Sequence, residues 1–430
     1  MRLVSWVLTL AVIQFSIAQA GFASDGAAQP VRLGALLAEA LAGNPELLAA
    51  HKRLEAAQAR VPLAKALPAP RIGVEIEEIP KGTVKLNQAT IMYQLIQSLP
   101  FPGKLSARHR VAVKEAQVAA MAFKQVEWDI TTQLKATYYE LFLLDREREI
   151  LEEQLAWLRQ AAGTARSRYA TGAGSQAQLL RLQSEELETA NELAVFAQRR
   201  EAMGAHLNHL LNRVAHHPVG APEPMTLQPL PFSPDELVAA AQERQPELLM
   251  FRFSAERAEA GWRLAKRELL PDLETMAELR DPAMGPIGPW DLTLAIALPF
   301  WFWTKWRYGL KMALYDKESA QAAYQAVRNE ITKRIHEHWH EAQAAYGTVK
   351  LCQDALIGQS RQAVASSLAA YHGGRGSFGE LLEALRALAE RKRTYYQHLV
   401  AFEQHVVMLE EASGLTLRAA HGAPTTGGTP

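Results

Sequence analysis

From Lys104 to Ala170 the sequence contains no proline, and Gly163 is the only glycine in that stretch. At ~1.5 Å per residue, a helix of that length spans roughly 100 Å. Ordinary globular helices run about a dozen residues, so this segment serves reach rather than a compact core. Leu134, Leu141, Leu144, Leu151, Leu155, Leu158, Ala162 and Ala165 fall on alternating three- and four-residue steps, interrupted at Arg148. That spacing is a coiled-coil seam. Ile331, Ile335, Ala342, Ala345, Val349, Cys352 and Leu356 keep the same spacing later in the chain. Cys352, the single cysteine, reads as a small core residue on that seam, and no internal disulfide can form.

The chain carries its unit twice, about two hundred residues apart. Asn44-Pro45-Glu46-Leu47-Leu48 returns as Gln245-Pro246-Glu247-Leu248-Leu249, and Leu99-Pro100-Phe101 as Leu298-Pro299-Phe300. Tyr169-x-x-Gly172-x-Gly174-Ser175 returns as Tyr371-x-x-Gly374-x-Gly376-Ser377, and Leu179-Leu180 as Leu381-Leu382. Each half reads helix, strand, strand, very long helix, long helix. The first repeat covers 21–216, a Pro-rich linker 217–234, the second repeat 235–414, and a tail over 415–430 is expected to be disordered. The first helix is expected from Pro45, placed in a first helical turn, to about Leu67, with Pro68 and Pro70 ending it.

Between the helices lie short stretches of period two. Ile72, Val74 and Ile76 alternate with Gly73, Glu75 and Glu77; Ile91, Tyr93 and Leu95 are a less clean second case. Leu273, Thr275, Ala277 and Leu279 form a third stretch, and Leu292, Leu294, Ile296 and Leu298 a fourth. Such alternation gives a strand one apolar and one polar face. Each stretch has about the nine or ten residues that a tilted strand needs to cross a bilayer. Phe300, Trp301, Phe302, Trp303 and Trp306 then form an aromatic cluster suited to a membrane interface. Four strands leave two open edges, which lipid does not tolerate, and barrels begin at about eight strands. The chain therefore has to supply part of a shared barrel; three copies would give twelve strands, and other multiples satisfy the same condition.

Arg2, the apolar run from Leu3 to Ile17 and the small-x-small sequence Ala18-Gln19-Ala20 make a signal peptide over 1–20, with the mature chain from Gly21. Beyond it no run of about eighteen apolar residues appears, so no membrane-spanning helix is expected. The balance of 46 basic and 46 acidic residues argues against a nucleic-acid partner.

Each long helix ends in a glycine-containing tip, residues 169–175 and 371–377, where glycine permits a positive-φ turn. Ser175 with Gln178, and Ser377 with Glu380, have the spacing of capping boxes that start the returning helices.

With these motifs the chain resembles the TolC-type outer membrane efflux family. The resemblance rests on the doubled Asn/Gln-Pro-Glu-Leu start, the Leu-Pro-Phe strand exit followed by Gly103-Lys104, and the two tips, and it covers nearly all of the mature chain. It implies a mainly α protein with a transmembrane β-barrel contribution: a homotrimer with a twelve-stranded barrel in outer-membrane lipid and a twelve-helix periplasmic tunnel. It implies the exit duct of an efflux system, docked to a periplasmic adaptor and driven by an inner-membrane efflux pump. By the same resemblance Gly172, Ser175, Gly374 and Ser377 are adaptor contacts, and Tyr371, Glu380 and Glu383 belong to the gate. Glu380 and Glu383 are three residues apart, hence on one helix face, and threefold symmetry would gather six carboxylates at a narrow mouth. Gln178 departs from the family where an acidic residue is common, and Gly376 where an arginine can occur.

His336-Glu337-His338-Trp339-His340 satisfies the H-E-x-x-H spacing of zinc proteases. It falls inside an expected long helix with no evident third ligand or cleft, so these read as surface histidines and no catalytic, metal or cofactor site is expected. With no nucleotide-binding loop or catalytic triad signature, the energy for transport has to come from a partner. A second reading is a soluble periplasmic coiled-coil scaffold or adaptor, and a third is a zinc hydrolase using Glu337.

Overall fold

The structure, a computed structural model, describes residues 30–77, 90–172, 174–280, 290–296 and 302–418. The expected signal peptide, the Leu298-Pro299-Phe300 landmark, Phe300 and Trp301 lie outside these residues. Each half opens with two helices, where the sequence suggested one. In the first half these are α1 (Leu33–Gly43) and α2 (Pro45–Leu63), followed by β1 (Arg71–Glu77), β2 (Thr90–Leu99), α3 (Lys104–Ala170) and α4 (Gln176–Leu210). In the second they are α5 (Pro234–Arg244) and α6 (Pro246–Glu268), then β3 (Leu273–Arg280), β4 (Trp290–Ile296) and α7 (Phe302–Leu351). A π-turn at Cys352–Leu356 joins α7 to α8 (Ile357–His372), and α9 (Phe378–Ser413) returns.

The repeated Asn/Gln-Pro-Glu-Leu start is a capping device. The Asn44 side chain accepts from the Glu46 amide and the Gln245 side chain from the Leu248 amide, each satisfying a donor that the first helical turn leaves open. Asn44 also donates to the Leu210 carbonyl, tying the start of α2 to the end of α4. Helix α2 stops at Leu63 rather than near Leu67, because Pro62 inside its last turn removes a backbone donor before Pro68 is reached.

The four strands form one antiparallel sheet in the order β1-β2-β3-β4, with the repeats meeting at β2 and β3. Its register sorts the side chains as the period-two pattern requires. Ile72, Leu95, Ala277 and Leu292 line up across the sheet, and so do Val74, Tyr93, Leu279 and Trp290. This face is bare: Ile72 is 82% exposed, Leu292 59% and Leu294 63%. On the other face Gln94 bridges Glu75 and Glu278, while Arg280 reaches Asp291. Burying a large apolar side chain gains roughly 1.5–3 kcal/mol, so a continuous face of this kind cannot remain in water.

A polar clamp joins the sheet to the helices. Lys104, 2% exposed at the start of α3, places Nζ 2.8 Å from Asp272, which precedes β3. Asp272 also accepts the Phe101 amide, and Arg267 donates to the Gly103 carbonyl at 2.7 Å. The Gly103-Lys104 pair thus docks the exit of β2 against the entry of β3.

Every seam residue expected on α3 is buried, as are Ile331, Ile335, Ala342, Ala345, Val349 and Cys352; Leu356 is only partly buried. The π-turn inserts at Cys352 and shifts the spacing there. Near the linker, α1, α3, α4 and α9 share one core around Leu134, Tyr138, Phe142, Leu207 and Val407. Linker residues Val219, Met225 and Leu227 pack on that core. The expected disordered tail does not begin at 415. Leu415 and Leu417 pack against the α7–α9 core, and the Leu417 and Arg418 amides donate to Glu410, which also receives buried Lys135. Residues beyond 418 lie outside the described ones.

Arg418 also pairs with the buried Glu403 at 2.7 Å. Burial dominates there, pushing the Glu403 carboxyl up from 4.5 to about 7 despite the attraction of Arg418. The folded chain therefore holds this proton more tightly than the unfolded one. Its contribution, roughly 3 kcal/mol, is complete below the unfolded pKa and is lost as pH rises through about 7. We predict that the thermal midpoint falls between about pH 5 and about pH 8, and that Glu403→Gln flattens this dependence. Equal slopes in thermal melts of the two proteins would contradict it.

Candidate functional site

At the first tip, Gly172 takes φ +72°, where a Cβ would be strained, and α4 starts at the Ser175 cap. At the second, Gly374 takes φ +75°, and the Gly376 amide returns to the Ala370 carbonyl at 3.0 Å. A Cβ at Gly376 would meet that of Ala370 at 2.9 Å, so this position is closed to any side chain in this turn. The two expected capping boxes part company. Ser377 and Glu380 form the reciprocal box, with the Ser377 amide donating to the carboxylate at 3.1 Å and the Glu380 amide to the serine hydroxyl at 3.2 Å. Ser175 instead accepts from the Ala177 amide at 3.3 Å, and Gln178 takes no part. A neutral amide at that position draws less from the helix dipole than a carboxylate does.

Glu380 and Glu383 are exposed on the first turns of α9, while Tyr371 is buried between the two hairpins. Its ring packs near Phe378, with Arg168 of α3 lying 5.1 Å from the ring centre. Burial raises the Tyr371 pKa, partly offset by Arg168, and its hydroxyl has no hydrogen-bond partner among the described residues. Around it Leu158, Ala162, Leu182, Leu381 and Leu385 join both hairpins into one tip core. Further along, Arg386 pairs with Glu185, Lys392 with Glu153 and Arg393 with Glu192, linking α9 to the first repeat.

Of the aromatic cluster, Trp306 is exposed on the first turns of α7, beside the exposed Tyr308. Phe302 and Trp303 begin that helix, but their side chains lie outside the described ones. Among the described residues no helix is long and apolar enough to cross a membrane.

The H-E-x-x-H stretch does not assemble as its spacing suggests. Glu337 pairs with Lys333, and His340 stacks edge-on against Trp339. Instead His338 and Glu341 of α7 meet His405 of α9, a grouping the sequence reading missed. A signal was present: His338 occupies the seam step between Ile335 and Ala342. His405 is drawn below its usual pKa by burial, against the pull of Glu341 and with a smaller push from His338.

A four-stranded, open-edged sheet with a bare apolar face, mounted on long helical hairpins, is the build of an outer-membrane channel protomer. A family model described as outer membrane efflux protein matches residues 36–213 and again 237–415, and the chain belongs to that family. It is an outer-membrane efflux channel subunit, with its long helices in the periplasm. It is 23% identical over 379 residues to the cobalt-zinc-cadmium resistance protein CzcC of Cupriavidus metallidurans, covering 86% of each chain. Its fold matches the outer membrane protein VceC of Vibrio cholerae with TM-score 0.76 at 19% identity, covering 90% of this chain and 97% of that one. CusC matches with TM-score 0.76 at 17% identity, over 92% and 96%. The soluble scaffold reading does not stand beside this membership.

The tip core yields a stability prediction. Tyr371→Phe should keep the unfolding free energy within about 1 kcal/mol, since the lost hydroxyl makes no hydrogen bond here. Tyr371→Ala should cost about 3–5 kcal/mol, because it opens a cavity. Denaturant melts compare the two, and similar losses would contradict the packing role.

Proposed function

We propose that three copies close their four-stranded sheets into one twelve-stranded barrel and their hairpins into one twelve-helix tunnel, forming a passive exit duct of a tripartite efflux system. What carries the reading is the one-sided sheet with two open edges, because only partners of the same kind can pair those edges inside lipid. In that assembly the apolar face meets lipid, Trp306 and its neighbours sit at the interface, and the polar face with Gln94, Glu278 and Asp291 lines the lumen. A periplasmic adaptor docks on the tips at Gly172, Ser175, Gly374 and Ser377, and an inner-membrane pump supplies the energy. Opening then requires contacts that the adaptor makes better with the open state than with the closed one.

Glu380 and Glu383 of three copies form an acidic ring at the tunnel mouth, which favours cations. Glu380 also caps α9, so its charge is held in place by the tip itself. Similarity to a cobalt-zinc-cadmium resistance protein supports divalent transition-metal cations as the cargo. In planar bilayers, replacing Glu380 and Glu383 together by glutamine should lower cation selectivity while the trimer persists. Unchanged selectivity would remove the acidic ring from the gate.

A further inference from the structure

Midway along the second repeat, two imidazoles and a carboxylate converge from two antiparallel helices. Nδ1 of His338 lies 3.4 Å from an oxygen of Glu341, and Nδ1 of His405 lies 3.3 Å from the same oxygen. One ligating atom from each of the three residues falls within 4.8 Å of the others, and the two rings are 5.5 Å apart. Among the described residues no lysine or arginine approaches Glu341; its ion-pair partners are the two histidines alone. Nδ1 of His338 is shielded from solvent and, though near Glu341, makes no hydrogen bond, so a buried lone pair or N–H is left unsatisfied.

These distances have a specific chemical meaning. A tetrahedral ion with bonds of about 2.0–2.1 Å holds its ligands roughly 3.3 Å apart. Two edges of that figure already stand between the carboxylate and each ring. Closing the third takes a small rotation of the imidazoles. His338 and Glu341 are three apart on α7 and so share a face, while His405 comes from α9. We propose that His338, Glu341 and His405 form a binding site for a divalent transition-metal cation of the zinc class, which bridges α7 to α9. The donor set of two nitrogens and one oxygen suits zinc or cobalt and is poor for calcium or magnesium, which require oxygen cages. Glu341 is 57% exposed, so water can complete the coordination.

The site lies between two packed clusters of the same helix pair, Ile331, Ile335 and Leu409 on one side and Ala342, Phe402 and Val406 on the other. A bound ion therefore staples α7 to α9 and stiffens that pair against sliding. The proposal does not depend on what the channel exports, and it is distinct from the H-E-x-x-H spacing, whose His336 and His340 it does not use.

The test uses the untagged mature protein in detergent, titrated with zinc by calorimetry and with cobalt by visible absorption. The expected result is one zinc per chain and the d–d bands of tetrahedral cobalt, with the thermal midpoint raised by zinc. His338→Ala and His405→Ala should each abolish binding, cobalt bands and the midpoint shift, whereas the pair His336→Ala and His340→Ala should retain all three. Should either single variant fail to fold, Glu341→Gln supplies the same readout, with loss expected. Absence of saturable binding in the parent protein, or binding that survives both single histidine changes or Glu341→Gln, overturns the site.

Discussion

Backbone amides and carbonyls on the outer edges of β1 and β4 find no strand within this chain among the described residues. In hydrocarbon each unsatisfied group costs several kcal/mol, so an open edge and a bilayer are incompatible. In water the difficulty moves to the face, where Ile72, Leu292 and Leu294 stand uncovered. Neither solvent suits one copy. In the proposed assembly, edge pairing between copies would remove the first penalty, and lipid contact would turn the second into a gain.

The helices transmit that arrangement. Lys104 and Asp272 form a clamp at the point where β2 becomes α3 and α6 becomes β3, so the position of each hairpin is tied to the sheet's register. Along the hairpins the apolar seam sets α3 against its neighbours, and the pairs Arg386–Glu185 and Lys392–Glu153 hold α9 to the first repeat. Exposed pairs of this kind contribute about 0–1 kcal/mol each, so they bias the arrangement of the hairpins while the seam stabilises it. The group of buried Lys135, Glu403 and Glu410 with half-buried Arg418 is different in kind, because it draws the chain's last described residues onto the core. A positive-φ turn at each tip, open to Gly172 and Gly374 without strain, leaves the helix ends free to present polar side chains outward.

Much of this was legible because the signals were periodic. Seam residues from Leu134 to Ala165 and strand residues from Ile72 to Ile296 were readable from spacing alone, since burial on one face imposes that spacing. What escaped notice depended on contacts distant in sequence or on local competition. Helices α1 and α5 are only eleven residues long, each directly followed by a second helix that begins at a proline. The Ser175 side chain took the Ala177 amide rather than that of Gln178, and Tyr371 gave no sign that its hydroxyl would be enclosed without a partner. The seam of α7 marks His338 as inward-facing, but its meeting with His405 required knowing which face of α9 opposes it.

The central claim, that incomplete sheets are completed by identical neighbours in lipid, is tested most directly by cryo-electron microscopy of the mature protein in lipid nanodiscs. The account predicts a threefold particle in which β1 of one copy pairs with β4 of the next, closing a barrel that continues into a helical tube. A monodisperse monomer that stays in solution without detergent, its sheet face covered by its own chain, would contradict it.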